Sequence, residues 1–289
     1  MSDANVAEER RLQRAVLRVA DTVTPKDQRP GVHSYLSEYT CLPPPIFIVL
    51  ITLVEIGVFI YYTLSTGDTP QWFGGCAGCL TADGYAGPLI FVPYFREQAW
   101  RFLSYMLLHA GLEHILGNVI MQLIVGVPLE LVHKMWRIAP LYLLGVILGA
   151  MFQYTFDPRT MLVGASGGVY AILVAHLANT VMNWSEMPFA WLRLLLLGAY
   201  MCFDVGHALY RRFGDVQCVN VSYAAHLGGG VTGFLLGLVL LKNLRVHKWE
   251  KVLWWVSLVL YVLICVVSIA AVIIRTPGAE PWFNCPDPE

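Results

Sequence analysis

Charge is scarce in this chain. Asp, Glu, Lys and Arg make up 13% of its 289 residues, about half the share found in a typical soluble domain. A net charge of −1 supplies no overall field to draw in nucleic acid. The cysteines and histidines nowhere take up the paired spacing of a zinc site, and the N-terminal tail has no calcium-loop pattern, so neither a metal nor a cofactor is expected. Disorder, collagen and a small disulfide scaffold are excluded by the same composition. Apolar residues, in contrast, make up 57% of the chain, and they lie in runs long enough to cross a bilayer.

A spanning helix needs about 20 mostly apolar residues. Seven stretches qualify: Ile46–Ser65, Leu112–Leu131, Ile138–Tyr154, Ser166–Met182, Phe189–Phe203, Ser222–Leu241 and Val252–Ile274. A charged tail precedes the first, so that span is expected to remain as an anchor and not to be removed as a signal peptide. Residues 1–45 read as a cytosolic tail, 46–275 as the transmembrane unit with a long outer loop over 66–110, and 276–289 as an extracytoplasmic tail. Thirteen Lys and Arg fall on one side of these spans and six on the other. The positive-inside rule then places the N-terminus in the cytosol and the C-terminus outside. Cys76, Cys79, Cys218 and Cys285 fall on the outer, oxidising side, where disulfides are permitted in a pairing the sequence does not determine. The sequon Asn220-Val221-Ser222 abuts a span and is expected to stay empty.

Leu12, Val16, Val19 and Val23 recur at helical spacing beside Arg11, Arg14 and Arg18, the pattern of a short amphipathic helix on an anionic leaflet or of a fraying tail. Pro43-Pro44-Pro45 stops any helix ahead of the membrane. The loop from Gly67 to Ala110 is long for a connection. It carries Trp72, Phe73, Tyr85, Phe91, Tyr94, Phe95, Trp100 and Phe102, side chains that favour the headgroup level. It reads as a structured loop lying partly in the interface.

Polar groups inside spans are costly and usually functional. His114, Asn118 and Gln122 follow one another at i, i+4 in the second span and share a helical face. Gly164-Ala165-Ser166-Gly167-Gly168 opens the fourth span, and His226 lies near the start of the sixth. At about 1.5 Å of rise per residue, His114, Ser166 and His226 all fall in the outer leaflet, whereas His176 is about 15 Å deeper than Ser166. The fourth span covers only about 25 Å of a core about 30 Å thick. Residues 157–165 should therefore dip into the membrane as irregular backbone beside a water-filled cavity. Ser166 then sits at a helix N-terminus, whose free N–H groups suit an oxyanion. Small-residue faces, Gly164, Gly168, Ala171 and Ala175 on one span and Ala225, Gly229, Gly233 and Gly237 on another, allow close approach. If they meet, Ser166 and His226 come within range as nucleophile and base.

Together these residues resemble the rhomboid family of intramembrane serine proteases. The resemblance rests on Trp100-Arg101, His114-x-x-x-Asn118, Gly164-Ala165-Ser166-Gly167 and Ala225-His226-x-x-Gly229, in order over roughly residues 46–275. It implies an all-α polytopic membrane protein, a six-helix rhomboid-type core plus a seventh C-terminal transmembrane helix. By the resemblance Ser166 is the nucleophile and His226 the base, with His114, Asn118 and the Ser166 N–H lining the oxyanion hole. Tyr170 would pack on the His226 ring, Gly164 and Gly167 belong to the serine motif, and Trp100, Arg101 and Glu130 match structural positions in and around the first loop. The seventh span resembles the animal secretory-pathway branch, whose members shed growth-factor precursors of the epidermal-growth-factor type. Single-span membrane proteins and the lipid bilayer are the implied partners, in the Golgi, the secretory pathway or the plasma membrane. Inactive relatives typically carry proline before the serine or lack the serine; here Ala165 precedes an intact Ser166.

No third triad member stands out. Asp204 is the one acid near the outer end of the fifth span, expected to be structural and to pair with Arg211 or Arg212. Glu55 is expected to face the bundle or water, and His109 and His207 to be hydrogen-bonding residues of loops or span ends. The literal G-x-S-x-G match calls for a strand before the serine, which seven apolar helices exclude. A transporter with a broken helix and a noncatalytic holder of client helices are the competing readings.

Overall fold

The computed structural model describes residues 14, 17–18, 21–22, 26, 29–37, 43–65, 75–76, 78–80, 86–184, 187, 189–213, 223–243 and 248–276. Most of the expected amphipathic helix over 6–23, the sequon, Cys41, Cys218 and Cys285 lie outside the described residues. Among those described there is no strand, only two isolated bridges, Leu80–Ala86 and Phe91–Leu162. The molecule is an all-α, multi-pass membrane protein.

After a short α1 (Arg29–Ser37), the first spanning helix α2 runs over Ile46–Ser65. Its N-terminus follows the three prolines and is capped from a distance. The Glu130 carboxylate accepts the N–H of Phe47 at 2.9 Å and of Ile48 at 2.8 Å, satisfying two first-turn donors and placing negative charge at the positive end of the helix. A short turn α3 (Arg101–Ser104) in the loop leads to the second span, built from α4 (Gly111–Met121), a π-helical turn over Gln122–Gly126 and α5 (Val127–His133). Pro128 lacks the N–H that would complete a regular α turn there, which favours the wider one. Then come α6 (Met135–Phe156), α7 (Ser166–Met182), α8 (Ala190–Phe213), α9 (Tyr223–Leu240) and α10 (Lys248–Ile274).

Among the described residues, α2, the α4–α5 span, α6, α9 and α10 are long and apolar enough to cross a membrane, and α7 is a shorter apolar helix. The stretch expected as a fifth span corresponds to α8, which is not among those five. It continues ten residues past the expected end at Phe203, and its apolar character is diluted by Arg193, Asp204, Arg211 and Arg212. Val252, Val259, Val267 and Ile274 of α10 are all more than half exposed. In water such a face would be a liability; in a bilayer, acyl chains cover it.

The core is the contact of α9 with α7 and α6. A Cβ on Gly229 would lie 2.2 Å from the Gly167 carbonyl oxygen, and one on Gly233 2.3 Å from that of Ala171. Gly237 abuts the Ala175 backbone at 3.0 Å. The α7 face is thus Gly167, Ala171 and Ala175. Gly164 and Gly168, expected on it, face the His114 and Tyr142 rings instead, and Ala225 approaches Gly149 of α6.

Glu55 is fully buried, as expected of a carboxyl facing the bundle. Its oxygens lie 3.1 Å from the Tyr142 hydroxyl and 3.2 Å from Gln122 Nε2, which also donates to Thr52 at 2.7 Å. Gln122, one helical turn below Asn118 and donating its backbone N–H to that residue's carbonyl, is therefore engaged inside the bundle and not at the site.

Candidate active site

Residues 157–165 are irregular, as the shortness of α7 requires. Gln153 donates to the carbonyls of Asp157 at 2.7 Å and Thr160 at 3.1 Å. Leu162 and Phe91 exchange backbone hydrogen bonds at 3.0 and 3.2 Å, so the first loop is stitched to the segment that enters α7. Gly164 follows with φ +105°, a conformation that side chains resist. A Cβ there would also lie 2.6 Å from the His114 ring. Ser166 then begins α7 and is half-buried, on a first turn whose leading N–H groups have no intrahelical acceptor.

His226 lies in the first turn of α9. The Gly229–Gly167 approach brings that turn against the start of α7, and the His226 ring stacks on Tyr170 with centroids 4.3 Å apart and planes 12° from parallel. Tyr170 is one turn beyond Ser166 on the same face, so the imidazole covers the face that carries the serine. The histidine side chain is 12% exposed.

On the other side, His114 Nδ1 accepts the Ala110 N–H at 3.2 Å. In the neutral ring the proton then resides on Nε2, and that edge of the ring adjoins Gly164. Asn118 Nδ2 donates to the His114 carbonyl at 3.1 Å and adjoins the same glycine. Two side-chain donors and a helix N-terminus thus converge beside Ser166.

The first loop holds this arrangement. Arg101 is buried, donates to the carbonyls of Gly87 and Ile90 at 2.6 Å each and to Gln98 at 2.6 Å, and lies over the Phe95 ring. Burial lowers its pKa. Trp100 is exposed and donates to the Pro88 carbonyl at 3.1 Å. Cys76 and Cys79 form a disulfide farther back in the loop. Tyr105, absent from the sequence expectations, is fully buried. It donates to the Val146 carbonyl at 2.8 Å and presses on Gly149 and Gly167, and burial raises its pKa. Nothing in the sequence set it apart from the other loop aromatics. His109 is buried edge-on to His114 at 5.2 Å. Burial, and next the charge His114 would carry, hold its pKa well below the usual imidazole value.

Seven of the expected residues therefore gather at one end of the bundle: Ser166, His226, His114, Asn118, Tyr170, Gly164 and Gly167. Glu130, expected around the first loop, is at the other end capping α2, because α4–α5 carries it a full span away from His114. The side chains of Arg211 and Arg212, the partners expected for Asp204, lie outside the described ones. The Asp204 carboxylate accepts the Tyr170 hydroxyl at 2.6 Å and lies 3.8 Å from His226 Nδ1. His207 is exposed and stacks on Phe203, while His133 accepts the Lys242 N–H at the far end.

A model described as a Rhomboid domain matches residues 96–243. Rhomboid-related protein 1 of Caenorhabditis elegans is 45% identical over 283 residues, 97% of this chain and 79% of that protein. Rhomboid-related protein 2 of Mus musculus is 42% identical over 236 residues, 81% of this chain and 76% of that protein. A Caenorhabditis elegans protein named Inactive rhomboid-related protein 2 is 36% identical over 264 residues, 90% of this chain and 74% of that protein.

Proposed function

This chain belongs to the rhomboid family of intramembrane proteases and their noncatalytic relatives, and from that premise we propose that it is an active serine endopeptidase. Its substrates are single-span membrane proteins, cleaved near the outer leaflet to release ectodomains such as epidermal-growth-factor-type ligands. The observation that carries this reading is the stack of His226 on Tyr170, one turn from Ser166. It supports an imidazole held over the serine hydroxyl.

In this mechanism a substrate helix enters the pocket and loses its i to i−4 bonds locally, since carbonyls tied into a helix are not open to attack. Gly or Pro in the substrate span lowers that cost. Ser166 Oγ attacks the scissile carbonyl while His226 takes its proton. The developing oxyanion is held by His114 Nε2–H, Asn118 Nδ2–H and the Ser166 N–H. The C–N bond then breaks as His226 returns the proton to the leaving amine. Water, deprotonated by His226, hydrolyses the acyl-enzyme and regenerates the serine. Asp204 accepts from Tyr170 and faces Nδ1 of His226, and so orients the base without touching substrate.

The existence of an inactive relative at 36% identity makes the noncatalytic reading the one to test against. Intact Ser166 and His226, with Ala165 in front of the serine, favour catalysis. The full chain is co-expressed with a tagged single-span growth-factor precursor, and ectodomain release is followed. Wild type is expected to release the ectodomain, and Ser166→Ala and His226→Ala to abolish release. A fluorophosphonate probe that labels wild type but not Ser166→Ala identifies the nucleophile independently of the substrate chosen. Absence of both release and labelling in wild type would leave the client-binding role.

A further inference from the structure

At the end of the bundle opposite Ser166, a cavity of about 660 Å³ opens between the start of α6, the end of α7, the end of α9 and the start of α10. Among the described residues three cations border it, Arg137, Lys242 and Lys251, together with one carboxylate, Glu250, as well as Asn243 and Trp254. The charged groups do not simply cancel. Arg137 spends one guanidinium N–H on the Leu240 carbonyl at 2.7 Å. Glu250 is buried, and one of its oxygens accepts from Asn243 Nδ2. Its other oxygen, Oε1, is buried with no hydrogen-bond partner, and so is Asn243 Oδ1. Two desolvated acceptors side by side are costly unless a donor reaches them.

The lining sets the chemistry of the occupant. A bare phosphate or polyphosphate would suit the cations but would set its oxygens against Glu250 and Asn243. A purely cationic group would meet three like charges. What fits is an anionic group for the cations joined to an ammonium for Glu250 Oε1 and Asn243 Oδ1. Three positive charges and one negative are complementary to a headgroup with a phosphate, a carboxylate and one ammonium. Trp254, its indole donating to the Val239 carbonyl at 3.0 Å, marks the headgroup level. Beyond the cavity, Val252, Val256 and Val259 form an exposed apolar strip on α10, along which acyl chains can lie.

We propose that this cavity binds a phospholipid headgroup of the phosphatidylserine type, with the lipid's ammonium on Glu250 and Asn243 and its anionic groups on Arg137, Lys242 and Lys251. The site is independent of the protease reading. On the orientation favoured by the Lys and Arg distribution, it faces the cytoplasmic leaflet, where phosphatidylserine resides.

The test is native mass spectrometry of the full chain extracted from phosphatidylcholine bilayers doped equally with phosphatidylserine, phosphatidylglycerol or phosphatidylethanolamine. Wild type is expected to retain phosphatidylserine about tenfold over phosphatidylglycerol. Glu250→Gln keeps the shape but removes the counter-charge, so phosphatidylserine should fall to the level of phosphatidylglycerol. Lys251→Gln, at an exposed position that folding does not depend on, should lower both anionic lipids together. Equal retention of phosphatidylserine and phosphatidylglycerol by wild type overturns the proposal, as does an undiminished preference in Glu250→Gln or unchanged anionic-lipid retention in Lys251→Gln. Retention of phosphatidylethanolamine as strong as that of phosphatidylserine also overturns it, since the charge match would then be irrelevant. Glycerophosphoserine added as soluble competitor separates the two sources of this chemistry. Displacement of lipid at equimolar competitor would assign the site to a free phosphodiester and overturn the lipid assignment.

Discussion

Asp204 makes its short hydrogen bond to Tyr170, and the Tyr170 ring in turn is the platform for His226. A carboxylate at that place fixes the phenol, and through it the plane of the imidazole. Removing the charge with Asp204→Asn, or the hydroxyl with Tyr170→Phe, is expected to lower kcat by about threefold to tenfold with little change in KM. Fluorophosphonate labelling of Ser166 should persist at a reduced rate. The two changes should be less than additive when combined, because each breaks the same link. Full additivity, or a loss expressed in KM alone, would show that Asp204 does not act through Tyr170. The placement of Ser166, His226, His114 and Asn118 at one end of the bundle was legible because polar side chains in an apolar span have few places to go. That of Asp204 was not, because a span-end acid has arginines nearby in sequence and only folding brings Tyr170 to it. Glu130 was misplaced for a related reason: its partners are backbone N–H groups 83 and 82 residues away, which no side-chain pattern announces.

Among the helices, the α7–α9 contact decides whether the site exists at all, since Gly167 against Gly229 sets the separation of the two first turns. Gly233→Ala places a methyl 2.3 Å from a backbone oxygen and is expected to destabilise the bundle by about 1–3 kcal/mol. Gly198→Ala, with nothing within 4 Å of its Cβ position, is expected to stabilise α8 by about 0.5–1 kcal/mol. Thermal unfolding of the two purified variants in one detergent checks the pair, and equal midpoints would remove the close-packing account. The starts of α2 and α7 were readable, one from a proline block and the other from the glycine ahead of Ser166. The π turn was not, because Pro128 sits inside an unbroken apolar run. The small-residue faces were recognised as faces, but their register was not, since Gly164, Gly167 and Gly168 look alike until His114 and Tyr142 claim two of them.

Across the whole molecule, the asymmetry of Lys and Arg predicts a single insertion. In sealed microsomes an N-terminal tag should be digested by added protease and a C-terminal tag protected. The reverse pattern would place Ser166 in the cytosolic leaflet and the cationic cavity in the lumenal one. The spans were read from apolar length alone, and α8 was the weak member because Arg193, Asp204, Arg211 and Arg212 interrupt its apolar run. The last helix is more than an appendage. Arg96 of the first loop donates to the Val272 carbonyl at 2.9 Å, to the Tyr154 hydroxyl at 3.1 Å and to the Arg275 carbonyl, while Arg275 donates to the Thr155 carbonyl. The loop that shelters the serine is thereby fastened to the terminus of α10. A displacement of the end of α10 is thus transmitted to that loop directly through hydrogen bonds, in addition to the packing of α10 on α9.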